Sequence, residues 1–590
     1  MSDHYTELTT HLPSQNIYGL PSFELSSLRS NFIYEKQVSY TRNKVNIGSA
    51  LDGNLYYMCM EDTGIAHGVV METPYPAQVT LQPGPSLTFK TVGGNLVFYI
   101  FPGPEPYSVI DQLTTHYGKP PMPPYWSMGV HLCREGVDYE SVRRTFRDME
   151  LTGLPYESDC IDSNISSSVA FTVDQTKYPK PMLNFLLMDF VKAGKKLTLA
   201  QFPQIATLNE SNYHPYDEKE DSEFIQYNDS LYRGIYNWRD VIYPDYTNPK
   251  LFKWLKDQYT YLVEDEWGLN EHQKEFFDGV FLLDNTPLNH DTEMEGLNTT
   301  IEFPEDFGEE PLSFSTNTVF QEAEMMDGIK HYENHNIYGH SQLKMTNEIF
   351  TEFIPKKKRF LLTSESTAVG SSQYGGFFGG NFSADYSSMR MALFDTLRRG
   401  VAGSPFVGYP ICGNSDAKYF ETDPTFVEFE DLCIKWLQVA AYSPWVFSHY
   451  LSNNRPRNPS DLSKTFRNAA SVYLGQRMRL LPYLYNLNLE AHLHGKPITR
   501  AMFLEFPEEE LTYDLDHQFM LGPALMIAPV LYKTLLNMKT YFPAGCWYEY
   551  YSGKFTHYRF QWFHNLFYNV TRLVLDEVAV KDGNGQHYIV

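Results

Sequence analysis

The sequence feature that most constrains the fold is a strand–helix alternation that starts after the proline cluster at residues 118–124. Apolar runs of strand length are each followed by a longer run with helical periodicity. About eight such units in succession are typical of a closed parallel barrel, so we predict an α/β protein with a (β/α)₈ TIM barrel. Seven strand–helix pairs can be named: 127–132 with 139–151, 158–162 with 181–193, 196–202 with 248–266, 279–284 with 342–353, 359–364 with 386–400, 406–411 with 426–441, and 446–449 with 462–494.

Shorter β-like segments flank the predicted barrel. Before the prolines, runs such as 55–60, 78–81 and 95–101 alternate between apolar and polar residues and end at Gly or Pro, which is typical of a β-sandwich. From about residue 497 the chain returns to short β-like runs, such as 524–530 and 539–542. We therefore predict an N-terminal β-sandwich at 1–117, a barrel at 118–496 and a C-terminal β domain at 497–590. The segments 203–247, 285–340 and 413–425 are predicted to be loop insertions at the barrel mouth.

Length and charge narrow the class of protein. A chain of 590 residues is too long for a single core. Its 72 acidic and 47 basic residues give a net charge of −25, which repels phosphate backbones, so we expect no nucleic-acid partner. No apolar run is long enough for a transmembrane helix, and we expect no signal peptide at the start of this chain. The aromatic share of 15% fits stacking on sugars, but a core rich in Phe and Tyr explains it equally simply.

Cysteines and sequons give limited information. Six cysteines in so long a chain do not form a disulfide scaffold, and none has the spacing of a zinc site, so we expect no metal and no cofactor. Six Asn-x-Ser/Thr sequons favour a secretory-pathway protein only weakly. These candidate glycosylation sites are Asn164, Asn209, Asn228, Asn298, Asn381 and Asn569.

Barrel enzymes carry their catalytic groups at the carboxyl ends of the strands. In this chain those ends are Asp162, Asp284, Glu365, Asn381 (in the loop after the fifth strand), Pro410 and His449. Retaining glycoside hydrolysis needs two carboxyl groups about 5–5.5 Å apart. Three acids and one histidine allow such a site without demanding it, because a rim acid of an acidic protein is more often solvated or paired than catalytic.

Several sequence segments resemble glycoside hydrolase family 31, especially its maltase-glucoamylase and sucrase-isomaltase branch. They are KPPMPPYWSMGVHLCR from Lys119, LPSQNIYG from Leu12, YGG from Tyr374, ICG from Ile411 and LPYLY from Leu481. The resemblance extends from about residue 7 to about residue 550. It implies an N-terminal β-sandwich, a (β/α)₈ barrel and C-terminal β domains, in agreement with the alternation above. We expect the sandwich to be incomplete and the C-terminal domain to be truncated or divergent.

The resemblance also implies that both catalytic carboxylates are substituted. The nucleophile motif of active members reads WIDMNEP, and this chain reads FLLDNTP from Phe281, so Leu283 takes the nucleophile position. Asp284 is one residue away, and neighbouring strand residues point to opposite faces, so we interpret it as a structural or loop-facing acid. The acid/base Asp of the motif WLGDN falls on Asn381, or on Gly380 if one residue is deleted. Neither residue can donate a carboxylic proton.

Most sugar-binding positions of the family are substituted as well. Glu365 replaces an Arg and reverses the charge, and Pro410 replaces an Asp. Glu135 replaces a Tyr, and Asn43 replaces another Asp. Only Asp162 and His449 persist as candidate substrate-binding residues, and hydrogen bonds that shape the pocket would explain their retention as well as sugar contact does.

Three functions remain open after this comparison. The leading one is a catalytically inactive α-glucosidase homologue that binds an α-glucoside or oligosaccharide weakly at most. The second is an active α-glucosidase that uses a displaced acid such as Asp284 or Glu365, and the third is an extracellular interaction protein without sugar affinity. The resemblance implies a Cys412–Cys433 disulfide and an extracellular or secretory-pathway location. It names no partner for the other four cysteines and leaves the oligomeric state open.

Overall fold

The structure is a computed structural model in which most of the chain can be described. The described residues are 6–21, 27–41, 53–61, 64–162, 170–207, 213–268, 277–290, 317–353, 360–380, 382–415, 426–451, 454–533, 538–548, 550, 555–558, 561–564, 579–581 and 587–589. Of the predicted positions, Asn43, Asn164, Asn209, Asn298, Asn381 and Asn569 lie outside these residues, as does the side chain of Asp162.

The N-terminal part contains two four-stranded antiparallel sheets, with strand orders β1-β7-β6-β3 and β2-β4-β5-β8. Alternate residues of the strands bury an apolar core between them that includes Ile17, Val79 and Phe89. The predicted strands near residues 55, 78 and 95 are all present. The bounds are β1 Thr6–His11, β2 Asn16–Tyr18, β3 Glu35–Ser39, β4 Tyr56–Met60, β5 Ala66–Glu72, β6 Ala77–Gln82, β7 Ser86–Thr91 and β8 Val97–Phe101, followed by helix α1 Pro106–Tyr117.

Eight parallel strands close into a barrel, which confirms the predicted fold class. In chain order they are β9 Val130–Glu135, β10 Ser158–Asp162, β11 Lys196–Gln201, β17 Phe277–Leu282, β18 Leu361–Ser364, β19 Gly376–Phe378, β20 Val407–Pro410 and β21 Trp445–Leu451. The last strand pairs with the first, and Val446 through Leu451 lie opposite Val130 through Glu135. The polar ends of the strands therefore meet at one mouth.

Helices cover most of the outer face of the barrel. They are α2 Tyr139–Thr152, α3 Lys180–Lys192, α5 Leu251–Tyr261, α7 Tyr338–Phe353, α8 Tyr386–Val401, α9 Phe426–Ala440 and α10 Lys464–His494. Their ends follow the sequence: Asp138 caps α2 by accepting a hydrogen bond from the Ser141 amide, and Gly153 ends it in the left-handed conformation. Ser463 and Gly495 do the same for α10.

The sixth barrel strand, Gly376–Phe378, was missed in the sequence, where only seven strand–helix pairs could be named. The connection from β18 to β19 carries only a 3₁₀ turn, Ser371–Gln373, instead of a helix. The prediction that Asn381 follows the fifth strand was therefore wrong, because position 381 comes after the sixth. A three-residue strand flanked by glycines has little β-propensity, and its outer face is not covered by a helix of its own.

Two insertions interrupt the barrel after its third and fourth strands. The first contains β12 Ile205–Ala206, α4 His214–Asp217, β13 Gln226–Tyr227, β14 Ser230–Leu231, β15 Gly234–Tyr236 and β16 Arg239–Ile242. The described part of the second contains α6 His331–Asn334, followed by a 3₁₀ turn at His335–Ile337. The side chain of Asn336 bonds to the Thr41 amide at 3.0 Å, so this insertion contacts the N-terminal sheets.

The C-terminal part is built from small antiparallel sheets. Its elements are β22 Thr499–Ala501, α11 Met502–Glu505, β23 Phe519–Leu521, β24 Leu525–Ile527, β25 Lys539–Phe542, β26 Gly545–Tyr548, β27 Phe555–Tyr558, β28 Gln561–His564, β29 Ala579–Lys581 and β30 His587–Ile589. Trp547 and Tyr541 are fully buried in its small core. Among the described residues, no helix is both long and apolar enough to cross a membrane. The domain boundaries at 117/118 and 496/497 remain predictions.

Aromatic rings fill the interior of the barrel below its mouth. The Trp445 ring lies 5.3 Å from that of Phe281, 5.6 Å from Phe378 and 4.5 Å from Phe447, measured between ring centroids. His131 closes the lower end, where its ring nitrogens contact Ser158 Oγ and the Ser127 carbonyl. Because these rings face inward, residues two positions further along each strand face inward at the mouth.

Candidate functional site

The carboxyl ends of the barrel strands bring most of the predicted site residues to one mouth. Asp162 ends β10 and is in register with Ala200, which is in register with Phe281 of β17. Two strand spacings of about 4.8 Å put these backbones roughly 10 Å apart, and Leu283 lies two residues beyond Phe281. This spacing is compatible with the predicted mouth, although the Asp162 side chain and Asn381 lie outside the described residues.

Leu283 presents a buried apolar side chain at the end of the fourth strand. It is only 2% exposed. Its backbone N–H donates to the Gln201 carbonyl at 2.9 Å, which extends the pairing of the third and fourth strands. It faces inward because Phe281, two residues earlier, packs against Phe378 inside the barrel. The position that the resemblance aligns with the nucleophile thus offers no ionisable or hydrogen-bonding group.

Asp284 turns away from the strand in a left-handed conformation, with φ at 48°. Its backbone N–H donates to Glu365 Oε2 at 2.6 Å, and its carboxylate Oδ2 accepts from the Tyr236 hydroxyl at 2.7 Å. Tyr236 belongs to the insertion after the third strand. The contacts fit the interpretation of Asp284 as an acid that holds loops together.

Glu365 is a buried acid at the end of the fifth strand, 4% exposed. Burial raises its pKa well above the ordinary value, the charges of Asp284 and Glu135 raise it further, and the Asp284 amide lowers it. Its other oxygen lies against Gly380, where a Cβ would collide with it. Burial and the two neighbouring acids thus favour the protonated, uncharged form of the Glu365 carboxyl group.

His449 and Glu135 form a close pair across the first and last strands. His449 Nε2 lies 2.6 Å from Glu135 Oε1, and the histidine ring packs edge-on against Phe378 at 5.2 Å. Within the described residues, neither ring nitrogen completes a hydrogen bond with good geometry. His449 is 2% exposed, so its contacts are with protein groups.

Pro410 ends the seventh strand beside a rigid ionic cluster. The hydroxyl of its neighbour Tyr409 donates to Asp395, whose carboxylate also binds the guanidinium groups of Arg398 and Arg399. Those two positive charges outweigh burial and lower the pKa of Asp395. Pro410 itself has no N–H and no polar side chain to offer to a ligand.

Two disulfides lie close to the mouth. Cys412 and Cys433 are bonded, as the resemblance implied. The second disulfide, Cys133–Cys160, joins the first two barrel strands and had no sequence prediction. Its signal was the inward periodicity: Cys133 is two residues before Glu135, and Cys160 is two residues before Asp162.

A buried ion pair lies on the opposite, helix-facing side of the same two strands. The Arg134 guanidinium contacts the Asp159 carboxylate, and both side chains are almost fully buried. Burial raises the pKa of Asp159 despite this partner. Sequence reasoning missed the pair because the two residues lie 25 positions apart on consecutive strands, and no local pattern links them.

A loop amide joins the fourth and fifth strands next to Glu365. Asn285 donates to Ser364 Oγ and accepts from the Ser366 amide, each at 2.8 Å.

In the described part of the chain, no group of three or more His, Cys, Asp or Glu side chains is arranged to hold a metal ion. Of the predicted sequons, Asn228 lies exposed at the tip of the β13–β14 hairpin.

A closed parallel barrel set between N-terminal and C-terminal antiparallel sheets is an architecture that barrel glycosidases share with other enzymes. Comparison of the sequence with known families identifies the class. The profile of the glycosyl hydrolases family 31 TIM-barrel domain matches residues 120–487, and that of the glycosyl hydrolase family 31 C-terminal domain matches residues 495–580. The chain belongs to glycosyl hydrolase family 31 and is α-glucosidase-like.

Individual relatives agree with the family. The chain is 30% identical to lysosomal alpha-glucosidase of Mus musculus over 573 residues, which cover 93% of this chain and 56% of that protein. It is 30% identical to probable maltase-glucoamylase 2 of Homo sapiens over 576 residues, which cover 94% of this chain and 21% of that protein. The chain thus spans about half the length of the first relative and about a fifth of the second.

The fold is also similar to solved structures. The crystal structure of the glucosidase II alpha subunit superposes with a TM-score of 0.80 at 20% identity and covers 95% of this chain and 59% of that one. At this identity the similarity concerns the fold alone.

Proposed function

We propose that this chain is a catalytically inactive α-glucosidase homologue that binds α-glucosides weakly at most. The observation that carries the proposal is the buried Leu283 side chain at the end of the fourth strand, where the family resemblance places the nucleophile. Retaining hydrolysis needs a carboxylate there and a second carboxyl group as acid. The resemblance puts Asn381 at the second position, which leaves no pair to carry out the reaction.

Hydrolysis of an aryl α-glucoside tests the proposal directly. Turnover should stay at background, because positioned catalytic acids and bases each supply about 10²–10⁴-fold in rate. The Leu283→Asp and Asn381→Asp double variant should remain inactive, since Glu365 still occupies the position of the sugar-binding Arg. Any restoration of turnover should require Glu365→Arg in addition. Hydrolysis by the unmodified chain that disappears in Asp284→Asn would refute the proposal.

An active α-glucosidase with a displaced acid is the second candidate, and one observation favours it. Glu365 is a buried carboxyl group whose pKa is raised, which is the state that a general acid requires. Asp284 lies beside it and would have to act as the nucleophile. Its carboxylate accepts a hydrogen bond from the Tyr236 hydroxyl of the insertion after the third strand. These contacts favour a structural role.

Ligand binding separates an inactive homologue with a remaining sugar site from an interaction protein without one. Asp162 and His449 are the candidate sugar contacts that the resemblance keeps, and His449 would have to exchange its contact with Glu135 for one with the sugar. Maltose or acarbose should raise the melting temperature only if such a site survives. We further propose an extracellular or secretory-pathway location. Two disulfides support it, because disulfides persist in oxidising compartments, and the exposed Asn228 sequon fits it.

A further inference from the structure

A cavity lies on the outer face of the barrel, away from the mouth. It has a volume of about 570 Å³ and opens between the proline-rich segment Pro120–Pro124, helix α7 and the amino ends of the fifth to seventh strands. Ligand sites in proteins usually measure about 300–1,000 Å³. The cavity is therefore large enough for a molecule of two or three fused rings.

The missing helix between the fifth and sixth strands explains why the cavity exists. In the other described crossovers of the barrel a helix covers the outward side chains, but here the 3₁₀ turn Ser371–Gln373 leaves Leu362 and Phe377 uncovered by their own crossover. The prolines and the end of α7 approach this face without filling it. The cavity is thus a consequence of the topology.

The chemistry of the walls is apolar and aromatic. Phe350 and Phe360 stack with centroids 4.4 Å apart, and Phe406 stacks on Trp445 of the barrel interior at 6.0 Å. The remaining apolar walls come from Met122, Pro405 and Phe377. Flat walls of this kind favour a planar apolar ligand.

The polar groups in the cavity are few and largely paired with the protein. The Asn347 amide donates to the Tyr374 carbonyl at 3.0 Å, and the Thr351 hydroxyl donates to the Asn347 carbonyl at 2.8 Å. Among the described residues that line the cavity, none carries an Asp, Glu, Lys, Arg or His side chain. The described walls therefore offer a ligand mainly apolar contact.

We propose that this cavity is a binding site for a planar, largely apolar small molecule. It goes beyond the proposed function, because the cavity lies on the outer face of the barrel and the proposed sugar site lies at the mouth.

The test uses the full chain and the neutral fluorescent dye N-phenyl-1-naphthylamine. We expect saturable binding at one site per chain. Affinity should fall at least about tenfold in Thr351→Trp, whose indole would fill the cavity, and change less than about twofold in Glu352→Trp, on the same helix but outside the cavity.

Two results would overturn the proposal. The first is an absence of saturable binding by the dye, and the second is equal binding in the unmodified chain and Thr351→Trp when both melt at similar temperatures. Displacement of the dye by a proline-rich peptide at lower concentration than by any ring compound would assign the cavity to a peptide instead. Maltose should not displace the dye, whatever the outcome at the mouth.

Discussion

At the scale of single residues, the acids at the mouth lie close to one another. Glu365 is almost fully buried, with Asp284 and Glu135 close enough to raise its pKa and only the Asp284 amide to stabilise its charge. A buried acid of this kind stays protonated when folded and ionises when unfolded. It therefore makes the stability of the protein depend on pH.

Replacement of Glu365 by glutamine should stabilise the protein at neutral pH. Between the ordinary pKa of about 4.5 and the raised one, the folded state holds a proton that the unfolded state has released, so stability falls as pH rises through this window. Glutamine keeps the shape and the acceptor for the Asp284 amide and removes this dependence. Melting temperatures should be higher for Glu365→Gln than for the unmodified chain at pH 7 and equal near pH 4. A variant that melts lower at pH 7 would contradict a protonated Glu365.

Gly380 should tolerate no side chain while Glu365 is in place. A Cβ at position 380 would collide with Glu365 Oε1, and such overpacking costs about 1–3 kcal/mol. The control is Gly475→Ala in α10, where an added Cβ meets no atom within 4 Å and should stabilise by about 0.5–1 kcal/mol. Urea unfolding measures both. Glu365→Ala combined with Gly380→Ala should recover part of the loss, and a loss that persists undiminished would place the clash elsewhere.

At the scale of elements, the first two barrel strands are joined by a covalent bond as well as by backbone pairing. Cys133 and Cys160 are separated by 27 residues and lie inside the barrel, two residues below Glu135 and Asp162. Closing a loop of this length removes conformational entropy from the unfolded chain, which raises the free energy of unfolding by about 3 to 4 kcal/mol. This bond fixes the side of the mouth that carries those acids.

Loss of the Cys133–Cys160 bond should destabilise the barrel by that amount. We expect the Cys133→Ala and Cys160→Ala double variant to melt several degrees below the unmodified chain under oxidising conditions. After the unmodified chain has been unfolded and refolded with its disulfides reduced, its melting temperature should lie closer to that of the double variant. Equal melting temperatures under oxidising conditions would show that the bond contributes nothing to stability.

Most elements could be predicted because periodicity is a local property. The second strand, Ser158–Asp162, and the helix Phe426–Ala440 agree with their predicted bounds to within a residue. Gly376–Phe378 could not be found in this way, because its strand conformation depends on pairing with neighbours on both sides and not on its own glycine-rich sequence. Its absence from the prediction moved Asn381 to the wrong loop.

The sequence was enough to predict which residues lie at the mouth, but not how their side chains are protonated or paired. Spacing along the strands placed Leu283, Glu365 and His449 at one end of the barrel. The protonation of Glu365 and the pairing of His449 with Glu135 arise from contacts between strands distant in sequence. Burial and pairing are properties of the assembled barrel, and no single strand encodes them.

At the scale of the whole molecule, the proposed loss of the sugar site predicts weak sugar binding by an intact barrel. Leu283 is apolar and Pro410 has no donor, so a bound glucose ring would leave hydroxyl groups unpaired, at about 1–3 kcal/mol each. Two such losses weaken affinity at least about a hundredfold. The net charge of −25 adds no attraction for a neutral sugar.

Acarbose should therefore bind to the whole protein only at millimolar concentration, if at all. At a concentration a thousand times its Kd a ligand stabilises the folded state by about 4 kcal/mol, but at a concentration equal to its Kd it does so by about 0.4 kcal/mol. With millimolar acarbose we thus expect almost no shift in melting temperature and only weak heats in calorimetry. Mannitol at the same concentration is the control for nonspecific stabilisation. A large shift with acarbose and none with mannitol would mean a micromolar site, which the apolar side chains at the fourth and seventh strands could not provide, and the proposed loss of the sugar site would have to be abandoned.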